Sequence, residues 1–62
     1  MMMKSWWWGC RYLNGALVLK PYIHRLQIKE AESSSIVDEV FQPFEADTRD
    51  EASLILHQKA NP

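Results

Sequence analysis

The sequence predicts a small α+β domain, in which an N-terminal β-hairpin extends into a three-stranded meander that is followed by two short C-terminal helices. Three patterns predict it: an Asn-Gly pair between two apolar runs, a segment of alternating apolar and polar residues, and two N-cap residues ahead of helical spacing. The 62 residues are expected to form a single domain. It would comprise a basic, aromatic, β-rich half (1–29), a serine-rich junction (30–35) and an acidic helical half (36–62).

The hairpin is predicted from Asn14-Gly15, which lies between "YL" and "ALVL". This pair suits a two-residue type I′ turn, because both central positions of that turn need a positive φ. Residues 6–13 would then pair with a strand that begins at Ala16, and both flanks are rich in aromatic and branched residues. Pro21 interrupts the second strand, since it has no N–H to donate to a neighbouring strand.

The segment "YIHRLQIK", residues 22–29, alternates between two sets of side chains and predicts the third strand. A competing interpretation makes Pro21 the first residue of a helix that runs to about Glu32. Tyr22, Ile23 and Leu26 allow that helix, whereas Ile28 and Lys29 do not favour it. The strand is therefore the preferred prediction, and the helix stays open as the alternative.

Two helices are predicted in the acidic half. Ser35 stands at an N-cap position before Val37, Val40 and Phe41, which have helical spacing, and Pro43 would end this first helix.

The second helix has a clearer start, because Thr48 and Glu51 form a capping box and His57 and Lys59 occupy the last turn. Ser35 and Thr48 also fit acid-directed phosphorylation, although capping explains both without a kinase.

The lone cysteine bears on stability and compartment. A chain of this size gains about as much from hydrophobic burial as it loses in conformational entropy, and Cys10 has no second cysteine with which to form an intramolecular disulfide. A partner is therefore the expected additional stabiliser. An unpaired cysteine favours the cytoplasm or another reducing intracellular compartment.

Charge is divided unevenly along the chain. Residues 1–29 carry five bases and no acid, a net charge of +5, whereas residues 30–62 carry two bases and eight acids, a net charge of −6. Such asymmetry indicates either a basic surface for an anionic partner or attraction between the two halves, within one chain or between two copies.

Several function classes find little support in the sequence. Cys10, His24 and His57 lie on separate elements without a metal-ligand spacing, so we expect no metal and no cofactor. A fold this small leaves little room for a water-excluding catalytic cleft, so we expect no enzyme and infer no small-molecule substrate. The apolar runs are also shorter than the roughly 18 residues that a membrane span needs.

The three consecutive tryptophans indicate an interaction surface. In a strand, Trp6 and Trp8 share one face and Trp7 points to the other, so a sheet with one buried face leaves at least one ring exposed. We therefore expect a non-enzymatic protein-interaction module: a small subunit, an inhibitor or a regulator that binds a larger protein or a second copy of itself. The candidate partner-binding residues are Trp6, Trp7, Trp8, Arg11, Val37, Val40, Phe41 and Phe44.

The last four of these residues follow the i, i+3, i+4, i+7 order of a helix that docks in a groove, unless they pack on the chain's own hairpin. Single-stranded nucleic acid and a membrane surface are less favoured alternatives, since the basic half carries few charges and the acidic half would repel phosphate.

Overall fold

A computed structural model describes residues 4–61 and arranges them as a three-stranded antiparallel sheet with two helices. The elements, in chain order, are β1 (Ser5–Tyr12), β2 (Leu17–Pro21), α1 (Leu26–Ser33), β3 (Val37–Ala46) and α2 (Arg49–Ala60). The strand order is β2-β1-β3, so β1 is central and pairs with both neighbours. The α+β class and the N-terminal hairpin are thus confirmed.

The third strand and the first helix exchange places relative to the sequence prediction. The predicted strand over residues 22–29 is wrong, because α1 forms from Leu26 to Ser33. The helical alternative is correct in kind, although the helix begins five residues after Pro21. Ile28 is buried and Ala31 is half-buried, and this i, i+3 spacing is typical of a helix that covers a sheet.

The predicted helix after Ser35 is also wrong, because residues 37–46 form β3 and Ser35 lies in the turn before it. The helical spacing of this segment arises from two irregularities in the β1–β3 register, each of which places an extra residue on β3. One of them includes Pro43, which a bulge on an outer strand accommodates. Side chains three residues apart therefore share a face of β3, and this spacing resembles that of a helix.

The loop between β1 and β2 differs in type from the predicted turn. Gly15 has a φ of 92°, whereas no non-glycine residue described has a positive φ, so Asn14 does not adopt the type I′ conformation. The Gly15 N–H donates to the Tyr12 carbonyl (2.9 Å), and the Tyr12 N–H donates to the Ala16 carbonyl (2.8 Å). This pattern is a three-residue loop in which a type I turn precedes a left-handed glycine. Asn14 contributes through its Oδ1, which accepts the Ala16 N–H at 2.9 Å.

Replacing Gly15 with valine is expected to lower the free energy of unfolding by about 1 kcal/mol or more, because a branched residue resists a positive φ. A Cβ at this position meets no atom within 4 Å, so the loss would come from the backbone alone. Urea denaturation measures it. Gly15→Asn is the control and should lose less, since asparagine tolerates the left-handed region. Equal midpoints for Gly15→Val and the parent chain would contradict the observed turn.

Both faces of the sheet are covered. On the α1 face, Trp8, Cys10 and Ile28 form a buried cluster. On the α2 face, the buried cluster comprises Phe41, Phe44, Ala46, Ala52 and Leu56. A sheet with one buried face would leave at least one tryptophan ring exposed, and the second covered face allows this sheet to bury more of its aromatic residues.

The start of α2 is confirmed. Thr48 is the N-cap, and its Oγ1 accepts the Glu51 N–H at 3.1 Å. Asp50 and Glu51 lie in the first turn, while His57 and Lys59 lie in the last, as the helix dipole favours. The helix runs from the Trp6 end of the sheet back towards the hairpin loop.

Candidate functional site

The three tryptophans differ sharply in exposure. Trp8 is 1% exposed and lies on the α1 face, and Trp7 is half-buried on the α2 face. Trp6 shares the α1 face with Trp8 but lies near the end of β1, and it is 50% exposed. Of the three rings, only Trp6 remains accessible to a partner to this degree.

Two further exposed apolar side chains lie at the same end of the sheet as Trp6. The Tyr22 N–H donates to the Trp6 carbonyl at 2.9 Å, so the chain that leaves β2 passes directly beside Trp6. The next residue, Ile23, is 78% exposed, and Leu26 at the start of α1 is 52% exposed. We call Trp6, Ile23 and Leu26 the Trp6 patch.

The backbone beneath this patch is fixed by a side chain of α1. The Gln27 Oε1 accepts the N–H groups of Ile23 (2.8 Å) and His24 (3.0 Å). The His24 Nδ1 in turn accepts the Leu26 N–H at 3.2 Å. Ile23 and Leu26 therefore belong to a loop whose backbone is held by hydrogen bonds. This order lowers the conformational entropy that the loop would lose on binding.

The charge around the Trp6 patch is mixed. Lys4 and Arg25 are exposed close to it along the chain. Glu45, also exposed, is the cross-strand partner of Trp6 in β3, so its carboxylate and the Trp6 ring project from the same face of the sheet. A partner would thus meet an aromatic ring with an acid beside it.

Arg11 is engaged within the chain. Its Nη1 lies 3.3 Å from the Glu39 Oε1, and its Nη2 donates to the Ala60 carbonyl at 3.0 Å. The guanidinium also lies 6.0 Å from the Phe41 ring centroid. Arg11 therefore joins β1 to β3 and to the last turn of α2. The Arg11–Glu39 pair connects the basic half to the acidic half, although a pair exposed to this extent contributes only about 0–1 kcal/mol.

The structure distributes the four candidate residues of the acidic half over both faces of β3. Phe41 and Phe44 are buried on the α2 face, whereas Val37 and Val40 are half-buried on the α1 face. They are strand residues that pack on the chain's own β1 and helices, so the groove-docking helix on which their selection depended is replaced by a strand.

The residues considered for catalysis and metal binding have local roles. Cys10 is buried among the apolar side chains of the α1 face. The His57 Nδ1 lies 2.7 Å from the Ser53 carbonyl oxygen, within α2. Among residues 4–61, no three His, Cys, Asp or Glu side chains gather where they could hold a metal ion. Across the same residues, no helix is long and apolar enough to cross a membrane.

A groove of about 340 Å³ between α1 and the sheet has no counterpart in the sequence prediction. The residues that line it include Trp8, Cys10 and Lys20 of the sheet, together with Gln27, Glu30 and Ser34. The helical spacing of Gln27, Glu30, Ala31 and Ser34 is the signal that could have indicated it, but the strand prediction for this segment concealed that signal.

Comparisons with protein-family models, curated proteins and solved structures find no match to this chain.

Proposed function

We propose that this protein is a non-enzymatic protein-interaction module, which binds a protein partner or a second copy of itself through the Trp6 patch. The observation that carries the proposal is the exposure of Trp6, Ile23 and Leu26 together at one end of the sheet. In this role the chain would serve as a small subunit, an inhibitor or a regulator.

The energetics of the patch support this assignment. Isolated exposed apolar residues are common on protein surfaces, but neighbouring ones mark interaction sites. Tryptophan is enriched among the residues that dominate binding energy, and complete burial of an isoleucine or leucine side chain contributes about 1.5–3 kcal/mol. The cores on the two faces are small, so covering the patch would add substantially to the buried apolar area.

The acid beside Trp6 favours protein over phosphate-bearing partners. A single-stranded nucleic acid or an anionic membrane would bring phosphates close to the Trp6 ring, where Glu45 would repel them. A protein partner can instead supply a cation or a hydrogen-bond donor to the same carboxylate. Lys4 and Arg25 provide some attraction for phosphate, so both alternatives are included in the test.

Site-specific photo-crosslinking in the cells that produce the protein tests the patch. With a photoreactive phenylalanine analogue at position 6, we expect a covalent adduct with one protein species or a cross-linked dimer. Position 54 on α2 is the matched control, because Leu54 is 60% exposed but lies away from the patch. Trp6→Ala should prevent the same complex from co-purifying, while changing the free energy of unfolding by only about 1 kcal/mol or less.

Two outcomes would contradict the proposal. One is equal crosslinking at positions 6 and 54, which would indicate random encounters. The other is saturable binding of single-stranded oligonucleotides or anionic vesicles at about 0.15 M salt, seen as quenching or a blue shift of tryptophan fluorescence. Such binding would favour the corresponding alternative.

A further inference from the structure

The groove between α1 and the sheet combines an apolar floor with an unneutralised cation. Trp8 and Cys10, each 1% exposed, form the floor. Lys20 is the cross-strand partner of Trp8, and its Nζ lies 5.4 Å from the Trp8 ring centroid. In the part of the chain that the structure describes, Arg11 pairs with Glu39, and no carboxylate lies within ion-pair distance of Lys20.

The indole of Trp8 also contains an unpaired polar atom beneath the floor of the groove. The Trp8 Nε1 is enclosed and has no hydrogen-bond partner among the described atoms. Buried donors are nearly always paired in folded proteins, because an unpaired one loses its hydration without compensation. The volume of about 340 Å³ lies at the lower end of the roughly 300–1,000 Å³ typical of ligand sites.

The α1 side of the groove offers more hydrogen-bond donors than acceptors. The Gln27 Oε1 is occupied by two backbone N–H groups, so its NH₂ group remains to donate. The Ser34 Oγ accepts the Ile36 N–H at 3.4 Å and retains its own proton. Glu30, which is exposed, is the one acid among the lining residues. The remaining lining is apolar or aromatic, and a ligand that suits it would carry an anionic acceptor on an apolar body.

We propose that this groove binds a small carboxylic acid with an aromatic or branched aliphatic body. The carboxylate pairs with the Lys20 ammonium and accepts hydrogen bonds from the Gln27 amide or the Ser34 hydroxyl, while the apolar body lies between α1 and the Trp8 side of the sheet. The residues of the Trp6 patch do not line this groove. Gln27 contacts both regions, but the two proposals are tested at different residues, so either can fail without the other.

Titration of the ¹⁵N-labelled chain with 3-phenylpropionate at pH 7 tests the site. We expect a saturable shift of the Trp8 indole N–H resonance. The Trp7 indole is an internal control, since its Nε1 is also enclosed and unpaired but lies on the α2 face. The three indole resonances are assigned from Trp6→Phe and Trp7→Phe. The neutral isostere 3-phenylpropanamide should bind at least about tenfold more weakly, because charge-assisted hydrogen bonds are the strong ones.

Lys20→Met tests the contribution of the Lys20 charge, because it removes the ammonium group and keeps an apolar side chain against Trp8. The variant keeps an unbranched side chain over the Trp8 ring and should bind 3-phenylpropionate about tenfold more weakly. Lys29→Met is the matched control, because Lys29 is exposed on α1 and does not line the groove, and its affinity should equal that of the parent chain.

Three results would overturn the proposal. They are the absence of a saturable shift of the Trp8 indole resonance up to about 10 mM acid, equal affinity for the acid and the amide, and unchanged affinity in Lys20→Met. The comparison of acid and amide uses the parent chain, so it remains decisive if a variant fails to fold.

Discussion

Replacing Trp8 with alanine is expected to lower the free energy of unfolding by about 3–5 kcal/mol, the usual range for removing a buried aromatic side chain. Trp8 is 1% exposed and forms the α1-face cluster with Cys10 and Ile28. Small domains have total stabilities of only about 5–15 kcal/mol, so the variant should be largely unfolded or very close to it. Far-UV circular dichroism and urea denaturation measure the loss.

The neighbouring tryptophan supplies the control. Trp6→Ala removes the same side chain from the same face of β1, but from a half-exposed position, and should change stability by about 1 kcal/mol or less. Trp8→Phe should lose less than Trp8→Ala, because it keeps an aromatic ring and removes an N–H that is unpaired. Equal losses for Trp6→Ala and Trp8→Ala would show that the burial pattern along β1 is wrong.

The elements that the sequence predicts correctly are those specified by neighbouring residues. The hairpin depends on Asn14-Gly15, and the start of α2 depends on the Thr48 side chain and the N–H three residues later. Both are hydrogen-bond patterns within a few residues, so their physical cause is contained in the local sequence. Even there, the turn type differs from the prediction, because Gly15 adopts a positive φ and Asn14 does not.

The exchange of strand and helix has a non-local cause. One face of β3 carries Val37 and Val40, and the other carries Phe41 and Phe44. Residues three apart share a face because two irregularities in the pairing with β1 each add a residue to β3. That pairing joins segments about 30 residues apart, so the sequence of either segment alone does not reveal it. In a short segment, helical spacing and a bulged strand are therefore hard to distinguish from sequence alone.

The candidate site also depends on contacts between segments that are distant in sequence. Alternation in β1 correctly separates Trp7 from Trp6 and Trp8, but which ring stays exposed depends on where α1 covers the sheet. A strand over residues 22–29 gives Ile23 and Leu26 no reason to lie near Trp6, so the sequence does not indicate them as partner-binding residues. Once the chain passes Trp6 and begins α1, their exposure together follows from the fold.

Replacing Gly9 with alanine is expected to lower the free energy of unfolding by about 2–3 kcal/mol, within the range for overpacking a core. A Cβ at Gly9 would lie 2.7 Å from both terminal methyl groups of Leu56 and 2.9 Å from the Val18 carbonyl oxygen. Leu56 is itself fully buried, and the carbonyl belongs to the hairpin backbone, so neither can move aside without cost. Glycine at this position allows α2 to pack closely on the central strand.

A double-mutant cycle with Leu56→Ala tests this close approach. Leu56→Ala alone should cost about 2–5 kcal/mol through the cavity it leaves. In the double variant the added methyl group occupies part of that cavity, so the combined loss in urea denaturation should be smaller than the sum of the two by about 1 kcal/mol or more. The remaining contact with the Val18 carbonyl keeps the rescue incomplete. Additivity within about 0.5 kcal/mol would mean that Leu56 does not lie over Gly9, and α2 would then have to pack elsewhere on the sheet.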